Sequence, residues 1–169
     1  EGGAPVSGRS AFGSVVSDTV WRSSDSPVWL LGPLTIASNA TLRVDPGVTV
    51  NVLGNWRVDV FGGLAVGGTT NRPVVFTSAQ AVPKRGDWLG LRFNDSSLDA
   101  GCVLSNVVVA YAQTGVACYD ASPTLVGCTV IESSQNGIYL ERSSPVIRGG
   151  VFENNTQDGI YCAYLSFPQ

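Results

Sequence analysis

Histidine and methionine are both missing from this 169-residue chain, and charged residues make up only 14% of it. The missing histidine removes the commonest general base, the Ser-His nucleophile arrangement and imidazole-ligated metal sites together. Any catalysis would fall to carboxylates. Lys and Arg number 10 against 13 acids, too few to lay a basic stripe along a phosphate backbone, so no nucleic-acid partner is expected. No apolar run approaches the ~18 residues that cross a bilayer, and no membrane span is expected. The helix formers Glu, Lys and Gln are scarce, which leaves little room for helix. Beginning at Glu1 and lacking Met, the chain reads as a processed or excised product, in keeping with a secreted precursor that has lost its signal peptide.

What remains is a strand-and-turn composition. Hydrophobic residues make up 44%, with 20 Gly and 9 Pro, enough for one domain with a core of short strands between tight corners. Gly115, Gly137 and Gly159 lie 22 positions apart, and TGVACYDASPTLVGCTVIESSQ (114–135) aligns with NGIYLERSSPVIRGGVFENNTQ (136–157) and then DGIYCAYLSFPQ (158–169). LGLRFNDSS (89–97) extends the series upstream across a longer step of 25. A period of this size marks stacked structural repeats.

Within each unit apolar residues alternate, as a strand requires: Leu91 and Phe93, Val116 and Cys118, Ile138 and Leu140, Ile160 and Cys162. Two further inward columns are expected at Val103/Leu125/Ile147 and at Val108/Val130/Phe152, with Ser, Pro, Gly and Asn as corners. A unit with about three short strands cannot bury its own apolar side. Coils stacked at the ~4.8 Å interstrand spacing can, and the predicted architecture is all-β, a parallel β-solenoid. The leucine-rich repeat is the rival at this period, but LxxLxLxxN is nowhere present.

The N-terminal half follows no strict 22-residue step, yet LTI…ATLRVDPGVTVNV, GGLAVGGTTNRPVVFTSA and GDWLGLRF are alternating strands punctuated by Gly, Asn and Pro. These segments resemble the opening coils of bacterial secreted right-handed parallel β-helix repeat proteins. The resemblance implies a right-handed parallel β-helix over 15–169, of about six coils with 22-residue steps in the C-terminal half, outside the cell or on its surface. It implies little about activity, since that scaffold serves polysaccharide lyases and hydrolases, adhesins, binding modules and structural surface proteins.

Asp95 and Asp120 share a column on successive coils, which would set two carboxylates ~5 Å apart, the spacing of a retaining glycosidase. NDSS and YDASP are also ordinary turn sequences, and Arg142 continues the column as a cross-coil ion partner. The turn reading is preferred, and no catalytic, metal or cofactor residue is assigned. Lys84 and Arg85 form the one adjacent basic pair, but a lyase of the resembled fold would need a calcium-binding acidic cluster beside them, and none is apparent. Cys102, Cys118, Cys128 and Cys162 suggest no zinc site. Cys118 and Cys162 fall two coils, ~9.6 Å, apart, too far for a disulfide. Cys128 shares a corner column with Asn106 and Gly150. Free buried thiols are the first expectation and a Cys118–Cys128 bond the second. N-x-S/T triplets begin at Asn39, Asn94 and Asn154, of consequence only in a glycosylating host.

Tyr139 and Tyr161 should stack on the outer face with Tyr119 diagonal to them, as simple cross-strand packing or as a contact for a glycan or a protein. Residues 1–14, EGGAPVSGRSAFGS, read as a flexible tail rather than a cap. The last coil, around Gly159, Ile160, Tyr161, Cys162 and Tyr164, has nothing predicted to cover it. Open solenoid ends associate. The expected function is therefore a non-catalytic extracellular structural solenoid assembling with itself end to end. A carbohydrate-binding or carbohydrate-active β-helix is the alternative.

Overall fold

The computed structural model describes residues 8–169. Eighteen strands follow in order: β1 (Arg9–Val15), β2 (Thr19–Trp21), β3 (Val28–Ile36), β4 (Thr41–Val44), β5 (Thr49–Val52), β6 (Arg57–Val60), β7 (Gly63–Gly67), β8 (Val74–Ser78), β9 (Gly90–Phe93), β10 (Val103–Ser105), β11 (Val107–Ala110), β12 (Val116–Tyr119), β13 (Thr124–Val126), β14 (Thr129–Ile131), β15 (Ile138–Glu141), β16 (Val146–Arg148), β17 (Val151–Glu153) and β18 (Ile160–Ala163). The helical content of the described residues is two single 3-10 turns, Ser23–Asp25 and Asp99–Gly101.

Every strand pairing is parallel, and each strand pairs with strands one coil away. The coils stack three faces. The first face runs β2–β4–β7–β10–β13–β16. The second runs β3–β5–β8–β11–β14–β17 and the third β3–β6–β9–β12–β15–β18; the two meet because β3 is long enough to pair β5 with its first half and β6 with its second. β1 pairs along the whole of β3 across one irregularity and adds a further rung to both. The result is an all-β parallel solenoid of about seven turns, one more than the sequence suggested, because β1 supplies a rung that was read as tail. The expected tail falls partly on residues 1–7, which lie outside the described residues, while Arg9 onward is strand. The Gly and Ser of β1 suit an edge rung with little to bury: five of its seven residues are exposed.

The core is a set of axial columns. On the third face, Gly13–Leu34–Val58–Leu91–Val116–Ile138–Ile160 and Val15–Ile36–Val60–Phe93–Cys118–Leu140–Cys162 run the length of the molecule. These contain both columns read from the 22-residue repeat. On the first face the column is Trp21–Val44–Val66–Leu104–Leu125–Ile147, and on the second Val28–Val50–Phe76–Val109–Val130–Phe152. Here the expected Val103 and Val108 are corrected to Leu104 and Val109. The step to Leu125 and Val130 is 21 residues rather than 22, and one position moves a side chain to the opposite face. Cys128 moves likewise, onto the column of Val107 and Gly150 rather than Asn106.

Longer steps are absorbed sideways. β9 lies 33 positions beyond β6, with Leu91 beside Val58, and residues 79–88 make a loop at the corner between the second and third faces, where Gly86 N–H donates to Tyr111 C=O at 3.1 Å. There Trp88 is fully buried and its Nε1–H donates to the Ala110 carbonyl at 2.9 Å. The Asp87 carboxylate accepts from the Ser78 hydroxyl (2.6 Å) and the Lys84 amide (2.9 Å).

Candidate functional site

Two surfaces carry chemistry, the outer side of the third face and the open C-terminal coil. On the third face, strand alternation turns Arg92, Ala117, Tyr139 and Tyr161 outward in one file. Tyr119 belongs to the neighbouring file and leans across. The Tyr139 and Tyr161 rings stack at 5.7 Å between centroids and 16° between planes, Tyr119 and Tyr139 lie 5.6 Å apart at 39°, and the Arg92 guanidinium sits 4.6 Å over the Tyr119 ring. The file is thus a continuous cation–aromatic stack. All three tyrosines are where the repeat placed them, and Arg92, which closes the stack, was signalled by its outward place in the alternation.

Because the rings face one another along the axis, the stack turns its edges and hydroxyls to the side. The Tyr139 hydroxyl donates to Glu141 at 3.0 Å. Withdrawal from water between its neighbours, with that hydrogen bond to a carboxylate, pushes the Tyr139 phenol up to about 12. Beside the stack runs a groove of about 610 Å³ lined by Thr114, Gln135, Asn136, Gln157 and Asp158 together with the tyrosines. Gln135 and Gln157 of this groove continue a file that begins at Gln113, joined by backbone bonds from Gln135 N–H to Gln113 C=O (2.8 Å) and Gln157 N–H to Gln135 C=O (3.2 Å).

The carboxylates considered for catalysis are engaged differently. Asp120 takes a two-pronged ion pair from Arg142, at 2.8 and 2.7 Å, and Arg142 also reaches Glu141 at 2.7 Å. The guanidinium holds the Asp120 carboxyl below the usual carboxylate range. Asp95 lies exposed on a neighbouring turn, and the Asp120–Arg142 pair is the cross-coil contact that the turn reading anticipated. In the basic pair, Arg85 donates to Glu132 at 2.8 Å and ties the 79–88 loop to the next corner. All four cysteines are free. Burial pushes the Cys102, Cys118 and Cys128 thiols up, which keeps them as small apolar core groups. Among the described residues no three or more of Cys, Asp and Glu gather as a metal site.

A family model described as the pectate-lyase-like beta helix domain matches residues 13–97, just over half of the chain. The chain belongs to that family. A second model, the right-handed beta helix region, matches residues 89–168, so the two together run from β1 to the last coil of this β-helix. Neither a curated protein nor a solved structure matches it.

Among the described residues, no rung covers the last coil of this β-helix on its second and third faces. Ile160 and Cys162 occupy inward columns yet Ile160 is 36% exposed and Cys162 is exposed too, because no rung lies beyond β17 and β18 among the described residues. Val151 (43%), Tyr161 (45%) and Phe167 (66%) widen the apolar surface. On the first face the chain has already begun another rung: Gln169 pairs over β16, its N–H bonded to Pro145 C=O (3.0 Å) and its C=O accepting from Ile147 N–H (2.7 Å). Tyr164 and Leu165 make the corner, both at positive φ (45° and 60°). Of the three N-x-S/T triplets, Asn94 is buried with its amide donating to Val60 C=O at 3.2 Å, whereas Asn39 and Asn154 are exposed.

Proposed function

We propose that this β-helix is a non-catalytic, extracellular structural protein that assembles end to end through its terminal coils. The observation that carries the reading is the exposed inward column at Ile160 and Cys162, beside strand edges with unpaired backbone groups. Apolar surface and open edges on the same coil are the two features that drive β-sheet extension. Ile160→Asp should convert an associating protein to monomer, whereas Val82→Asp, a matched charge on a lateral loop where Val82 is 74% exposed, should not. Light scattering with negative-stain length measurements decides it. A monodisperse monomer at high concentration for the unmodified chain overturns the reading.

The groove beside the tyrosine stack favours a second reading, a carbohydrate-binding module. Its amide and hydroxyl groups repeat with the coil, Gln135 and Gln157 on one side and the tyrosines on the other. Such donors suit the hydroxyls of an extended glycan. Binding on a glycan array that Gln135→Ala and Tyr119→Ala both reduce supports it, and a blank array removes it.

A further inference from the structure

We propose, resting on the end-to-end reading, that the partner of the open C-terminal coil is the N-terminal rung of a second copy, with β18 pairing in parallel to β1 so that Cys162 lies over Val15. Three observations lead there. The first is chain path. Coils pass from the first face to the second and then the third, and the last described rung, ending at Gln169 over β16, lies on the first face. β1 lies on the second and third. Among the described residues, the face that follows the last rung in chain order is the face on which β1 lies.

The second is column continuity. Ile160, Tyr161 and Cys162 end files that begin with Gly13, Ser14 and Val15. Stacking in that register sets Ile160 over Gly13, where there is no side chain to clash, and Cys162 over the half-buried Val15. Tyr161, whose outer ring face is free, comes over the small Ser14. Strand direction agrees without rotation, since all strand-to-strand pairings among the described residues are parallel. The third is size. A coil of roughly 22 residues falls within the roughly 20–30 residues a side of a stable interface. The contact is heterologous and does not close, so it propagates.

The native Cys162 allows the register to be read directly. Inward neighbours on adjacent parallel rungs stand within the Cα separation that a disulfide spans. Val15→Cys, oxidised mildly with glutathione disulfide, should give a ladder of covalent oligomers on a non-reducing gel. Peptide mapping should then find residue 15 joined to Cys162 of another molecule. Ser14→Cys, whose side chain points the opposite way, should give about ten-fold less linked material. Adding Cys162→Ser to Val15→Cys should abolish the ladder. Oligomers that form by scattering but leave residue 15 unlinked, or that link position 14 equally well, overturn this register and leave end-to-end assembly standing. Absence of oligomers altogether overturns both.

Discussion

Leu125 has coils above and below it in the first-face column, and it is 1% exposed, whereas Ile147, one coil on, is only half-buried. Leu125→Ala should therefore cost about 2–5 kcal/mol in chemical denaturation, and Ile147→Ala clearly less. The repeated glycines have an equally local cause. Gly90, Gly115, Gly137 and Gly159 stack in one file, linked by amides of the following residues, and a Cβ on Gly137 would come within 2.6 Å of the Gly159 carbonyl oxygen. Gly137→Ala should be destabilising by about 1–3 kcal/mol, seen as a lower denaturation midpoint. Tyr139 offers a spectroscopic check. Its phenol is raised in the folded state, so the stabilisation it brings is complete below pH ~10 and is lost as pH rises through about 12. Absorbance titration should show one late phenolate component that Tyr139→Phe removes. At this scale the tyrosines and the glycines were legible because they recur on one period. Trp88 and the Arg142–Glu141 contact were not, since each depends on a loop or a side-chain reach that no repeat encodes.

Among the strands, legibility depended on how sharply polarity alternates. Residues 138–141, Ile-Tyr-Leu-Glu, allow a single parity, and β15 and its neighbours took the expected register. Residues 103–110, Val-Leu-Ser-Asn-Val-Val-Val-Ala, are apolar at both parities, so nothing local reveals a 21-residue step, and both columns were read one residue early. Corners hold the rungs in register by other means. Tyr111, Glu132 and Asn154 all turn at positive φ (62°, 56° and 55°) between the second and third faces, and Asp120, Arg142 and Tyr164 (50°, 48° and 45°) do so after the third. At the latter corner the buried Ser143 hydroxyl accepts from the Ala121 amide at 3.2 Å and donates to the Glu141 carbonyl at 2.8 Å. Ser143→Ala should cost about 1–3 kcal/mol by leaving that amide unpaired, measurable as a lower midpoint. Asp120 works through charge: its folded carboxyl is depressed, so its contribution is present above pH ~4 and is lost as pH falls through the lower folded value. Arg142→Gln should flatten that part of the acid stability profile.

The whole molecule is a stack in which each coil touches only its neighbours, so the ends differ from the middle in stability as well as in exposure. Hydrogen exchange should be slowest around β10 to β12 and fastest in β1 and β18, and association should raise protection at those two ends first. The first coils step by 22 to 24 residues, but no recurring Gly phrase marks them, and inserted segments lengthen the steps that follow. β10 follows β7 with Val103 beside Ala65, 38 positions later, and that distance swallows more than one repeat.

Those inserted segments leave the rung height untouched. Whether a coil takes 21 residues or 38, its strands still sit one interstrand spacing from the next pair. Contour length and axial length are thus separate variables in this protein: residues added at a corner broaden the shaft, and only whole three-strand turns lengthen it. The Thr69–Arg72 tip, closed by its own pair of backbone hydrogen bonds at 3.1 Å, stands outside the stack. A peptide grafted there would ride on the flank at a fixed height, like a flag on a graduated rod.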